Sequence, residues 1–177
     1  MTLYTAPAGR ARKISPAMTV RNMEELNETL PREGRLMALD LGTKTIGVAL
    51  SDVLRTIATP RETIARKKFG MDAAKLVEII HAEEVAAIIL GLPVNMDGTE
   101  GPRAQSTRQF AVNLSEKTDI DIAFWDERLS TAAVTRTMIE ADLSRARRKE
   151  VVDKMAAAYI LQGALDYLKR RQHTTKG

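Results

Sequence analysis

Apolar positions between residues 35 and 52 fall into two runs, RLMALDL and TIGVALSD, separated by a Gly-Thr-Lys turn. The pattern predicts two strands paired as an antiparallel hairpin. TIATPRETIA (56–65) predicts a third strand, and Pro60, which has no N–H to share, places it at a sheet edge. The period then changes: Leu76, Val77, Ile79 and Ile80 recur at helical spacing within 71–84. VAAIILG (85–91) is an unbroken apolar run, the mark of a strand buried on both faces. GLPVNMDGTEG (91–101) is a loop with turn signals at Leu92-Pro93 and Asp97-Gly98, followed by a helix over about 102–117 and the strand IDIAFWDE (120–127). Ser130 or Thr131 can cap a helix to about Ile139, DLSRARRKE (142–150) reads as a polar, mobile connection, and a last helix covers about 150–170.

Upstream, residues 1 to about 20 show no apolar period and read as a flexible arm. A short helix from Asn22 to Leu30, with Asn22 as its cap, ends before Pro31. The predicted organisation is an arm over 1–33, a domain over 34–170 and a polar tail over 171–177. Three leading strands followed by alternation define an α/β fold: a mixed five-stranded sheet, its first three strands antiparallel, with helices on both faces.

Composition narrows the chemistry. The 177 residues include no cysteine, which excludes a disulfide scaffold and a thiolate zinc site. No apolar run approaches the roughly 20 residues that cross a bilayer, and the N-terminus lacks the apolar segment of a secretory signal, so no membrane contact and a cytoplasmic location are expected. A net charge of +4 permits a polyanionic partner without requiring one. The only histidines are His81, on a surface-like helix, and His173, in the polar tail, which argues against a Ser-His-Asp or histidine–metal centre.

Against that background, acids stand where packing would favour apolar residues. Asp40 shares a strand face with Leu36 and Ala38. Asp126 and Glu127 close a strand that contains Ile122, Phe124 and Trp125. Asp153 heads a stripe of Ala157, Ile160, Ala164 and Leu168. Each has a structural alternative: turn hydrogen bonds for Asp40, a helix start for Asp126 or Glu127, and a dipole contact for Asp153. Carboxylates from three separate elements, each able to face the sheet, also suit a hard divalent cation such as Mg²⁺.

DLGTKTIGVALSD, GLPVNMDGTEG, DERLST and KEVVDKMAAAYILQ, in that order and spacing, resemble the YqgF family, also called RuvX, of pre-16S rRNA nucleases related to Holliday-junction resolvases. The resemblance runs from about Arg35 to Leu168. It implies a ribonuclease-H-like fold and a metal-dependent nuclease that processes the 5′ end of pre-16S rRNA in ribosome biogenesis. By position in the motifs it selects Asp40, Glu127 and Asp153 as catalytic residues and as ligands of Mg²⁺ or Mn²⁺. Family members often carry Arg where this chain has Thr45. Candidate nucleic-acid contacts are Lys44, Asn95, Arg103, Arg128, Arg147, Arg148 and Lys149, since phosphate neutralisation dominates such binding.

Other readings stay open at this stage. A resolvase acting on DNA junctions would use the same metal chemistry, as fold does not fix substrate. A non-catalytic RNA-binding assembly factor would use the acids for structure. Asp-x-Gly-Thr also resembles the first phosphate motif of actin-like ATPases, but the chain is too short for their two domains. The partner is a nucleic acid, precursor rRNA ahead of a DNA junction, bound by a monomer or a homodimer.

Overall fold

The computed structural model describes residues 20–130 and 144–174, with the backbone alone for 148–153. In chain order the elements are β1 (Val20–Arg21), α1 (Met23–Thr29), β2 (Arg35–Leu41), β3 (Thr45–Ser51), β4 (Ala58–Ala65), α2 (Phe69–Ala82), β5 (Val85–Leu92), α3 (Pro102–Ser115) and β6 (Asp121–Asp126). A helical turn at 127–130 follows β6, and the long helix α4 (Arg145–Thr174) closes the described chain. The expected Thr131 cap and the helix to Ile139 lie outside the described residues, as does the arm up to residue 19.

One sheet runs in the order β1-β6-β5-β2-β3-β4. β2, β3 and β4 are antiparallel neighbours, whereas β2, β5, β6 and β1 run parallel. β4 is an edge strand, as its proline requires, and the β3–β4 register shifts between Val48 and Ala49 where Pro60 pairs. The mixed α/β fold is the one expected, but its sheet has six strands where the sequence predicted five. The additional strand is β1, two residues long, too short to leave a periodic signal.

The pleat sorts side chains into two cores. On one face Met37, Leu39, Ile46, Val48, Ile88, Leu90 and Ile122 meet Leu76, Ile79 and Ile80 of α2 and Phe110 and Leu114 of α3. On the other, Leu36, Ala38, Ala49, Ala87, Ile89, Ala123 and Trp125 meet Ala157, Ile160, Leu161, Ala164, Leu165 and Leu168 of α4. Small side chains dominate the sheet on that second face, which lets a long helix lie close against it. No helix among the described residues is long and apolar enough to cross a membrane.

Residues 20–29, assigned to the arm by the sequence, are built onto the sheet. β1 pairs with β6, Leu26 is fully buried, and Asp121 is held by Arg21 Nε at 3.0 Å and accepts from Thr29 Oγ1 at 2.9 Å. Asn22 closes a reciprocal cap: Glu25 N donates to Asn22 Oδ1 at 2.8 Å, and Asn22 N donates to Glu25 Oε2 at 3.2 Å. Asn22→Ala is expected to cost about 1 kcal/mol of unfolding free energy in denaturant titration. α4 starts earlier than its apolar stripe predicted. Arg, Ala, Lys and Glu at 145–150 are good helix formers, and Ser144 Oγ accepts from Arg147 N at 3.3 Å at the start of the helix.

Candidate active site

Asp40 stands one pleat beyond Leu36 and Ala38, so its side chain leaves β2 on the α4 face. Its partner across the hairpin is Gly47. A Cβ placed on Gly47 would lie 3.5 Å from Ala157 Cβ and 3.6 Å from Asp40 Cβ. The absent side chain thus keeps the space where β2, β3 and α4 converge open around the carboxylate.

Glu127 reaches the same place from β6. Ala123 and Trp125 occupy the α4 face, and the next position of that alternation is 127. Its side chain crosses neighbouring β5 at Gly91, where a Cβ would stand 2.7 Å from Glu127 Oε1 and 2.5 Å from Ile160 Cδ1. Glu127 ends beside Asp40, close enough for the two carboxyl groups to share a hydrogen bond. Burial pushes the Glu127 carboxyl up to about 7, with further upward pressure from the Asp40 charge and hydrogen bond, and Arg103 opposes the shift. Two carboxylates in contact either share a proton or meet a cation.

Neighbouring Asp126 is engaged differently. It accepts from Arg128 N at 3.0 Å, capping the helical turn, and from Arg128 Nη2 at 2.7 Å. This pairing holds its carboxyl below the usual range. Arg128 also donates to the carbonyls of Asn95 and Met96, both at 3.4 Å, so it fastens the 93–101 loop. Ser130 accepts from Trp125 Nε1 at 2.7 Å and ties the turn back onto β6; the helix it was expected to cap lies outside the described residues.

Asp153 lies in α4 one turn before Ala157, the residue nearest Gly47; its side chain is outside the described residues, as are those of Arg148 and Lys149. Among the described residues no group of three His, Asp or Glu side chains gathers to hold a metal ion. Of the candidate nucleic-acid contacts, Arg103 opens α3 within electrostatic reach of Glu127. Lys44 is exposed in the β2–β3 turn, and Arg147 is exposed in the first turn of α4. Asn95 is engaged in its own loop, donating from Nδ2 to Thr99 Oγ1 at 3.0 Å. Gly91 and Gly47 were missed as parts of the site; their strand positions, in line with Glu127 and Asp40, carried the signal.

The fold is of the resolvase-like α/β class. T. thermophilus RuvC in complex with Holliday junction substrate aligns over 80% of this chain and 97% of its own, with a TM-score of 0.50 and 11% identity. The yeast mitochondrial Holliday junction resolvase Ydc2 aligns over 85% and 86%, with a TM-score of 0.51 and 10% identity. At such identities the likeness is one of fold. The family model RuvX, described as Holliday junction resolvase, matches residues 34–167, and the chain belongs to that family. It is 64% identical over 142 residues to a protein of Paramagnetospirillum magneticum, covering 80% of this chain and 92% of that one. It is 59% identical over 152 residues to a protein of Ruegeria pomeroyi, covering 86% and 99%. Both relatives are named "Putative pre-16S rRNA nuclease".

Proposed function

We propose that this nuclease processes the 5′ end of pre-16S rRNA in the cytoplasm, using a divalent cation, Mg²⁺ or Mn²⁺, held by Asp40, Glu127 and Asp153. The observation that carries the site is the contact between Asp40 and a half-buried Glu127, whose carboxyl burial and, after it, the Asp40 charge raise to about 7. All three donors are hard oxygens, the set such cations take, and a cation relieves the repulsion that the pair otherwise meets with a proton. The names of the curated relatives support the RNA substrate.

When bound, such a cation lowers the pKa of an attacking water and neutralises charge on the leaving oxygen. The chain's own residues do the rest. Gly91 and Gly47 keep the floor of the cleft low enough for the acids to converge. Arg103, already felt by Glu127, meets the negative phosphate as it enters. Lys44 and the exposed Arg147 attract the flanking backbone.

Cleavage of an RNA carrying the 5′ flank of small-subunit rRNA tests the reading, with Asp40→Asn as the comparison. Loss of cleavage in the variant is expected, and equal cleavage by both proteins sinks the assignment. The family's description supports a second reading, resolution of DNA junctions. A four-way junction in the same assay, with sedimentation to distinguish monomer from homodimer, separates the two.

A further inference from the structure

Met96 exposes 90% of its surface, yet the loop that presents it is firmly built. Asn95 N donates to Thr99 O at 2.9 Å, Gly98 N donates to Asn95 O at 2.9 Å, and Asp97 Oδ1 accepts from Thr99 N at 2.9 Å and Thr99 Oγ1 at 2.6 Å. Gly98 turns the chain at φ +88, a conformation that suits glycine. Arg128, itself fixed by Asp126, holds the Asn95 and Met96 carbonyls from below. Both ends of the loop also answer to the acids, since Gly91 lies against Glu127 and Arg103 faces it.

The rim of the site therefore carries an apolar side chain that nothing in the fold requires. A lone exposed apolar residue is ordinary. Met96, however, stands on a braced loop whose carbonyls are held by a guanidinium matched by Asp126, next in the chain to Glu127. The loop's polar side chains are turned inward on one another: Asn95 Nδ2 and the Asp97 carboxylate both bind Thr99. What the rim offers a ligand is a polarisable thioether with no directional demand, able to lie on any flat ring.

Resting on the nuclease reading above, we propose that Met96 packs on an unpaired nucleobase next to the scissile phosphate. It thereby favours strands that are unstacked at that point, with little dependence on which base is present. A base held this way fixes the sugar–phosphate beside it relative to Asp40 and Glu127.

Fluorescence anisotropy with a short single-stranded RNA in chelator provides the test, since it needs no catalysis. Met96→Ala is expected to bind roughly tenfold more weakly, the scale of one lost base contact. Met96→Leu should recover most of that loss, with the melting temperature unchanged in both variants. An abasic site moved along the RNA should find one position where wild type and Met96→Ala bind equally. Wild-type-like affinity in Met96→Ala, or a deficit the same at every abasic position, overturns the role of Met96. Failure of the wild-type protein to bind any RNA or DNA strand overturns the nuclease reading and this inference together.

Discussion

Glu127→Gln is expected to lower phosphodiester hydrolysis by about 10³-fold or more, since a misheld cation forfeits several kcal/mol of transition-state stabilisation. The amide keeps the shape that fits over Gly91 but gives up the charge. A wild-type rate in the variant ends the assignment of Glu127. The same substitution has a second signature, in stability without metal. The Glu127 carboxyl, raised from 4.5 to about 7, binds its proton more tightly folded than unfolded. Its contribution is therefore fully present below about pH 4.5 and is lost as pH rises through about 7. Because the side chain is partly open to water, the loss should be about 2 kcal/mol rather than the full value of the shift. Thermal melts in chelator should show wild type weakening across that window and Glu127→Gln holding level. A flat wild-type profile contradicts the carboxylate pair.

Gly91→Ala should reduce hydrolysis by about 10²-fold while the chain still folds, because small misplacements of reacting groups cost that much. The new methyl group would stand 2.7 Å from Glu127 Oε1 and 2.5 Å from Ile160 Cδ1. The isoleucine terminus can turn away at an overpacking cost of about 1–3 kcal/mol. Glu127 has no such freedom, because moving aside takes it away from Asp40. Adding Ile160→Val should restore melting temperature without restoring rate, which separates packing from positioning. Recovery of both by the double variant would make Gly91 a packing residue only.

The alternating runs at 35–52 made the β2–β3 hairpin and the misplaced Asp40 legible, because a strand buried on both faces leaves few positions for a charge. The choice of Glu127 over Asp126 came from the family motif, and the two acids take different directions in the fold. Asp126 faces away from α4 and caps the turn with Arg128, while Glu127 continues the line of Ala123 and Trp125. Arg128, counted among the nucleic-acid contacts, is matched to Asp126 and braces a loop. Sequence cannot reveal that pairing, since two residues at that spacing meet only when the strand turns into a helix. β1 escaped notice for a related reason. Two residues carry no period, and their pairing depends on Leu26 and Asp121, far apart along the chain.

Asp126, Glu127 and Arg128 are consecutive at the point where the strand turns into a helix: one caps, one faces its fellow acid, one braces the loop. Loss or gain of a single residue between Ile122 and Asp126 would reverse the strand's parity, sending Asp126 toward Asp40 and Glu127 toward the α2–α3 face. This segment can therefore vary in spelling but not in length, up to the turn that Ser130 secures to Trp125.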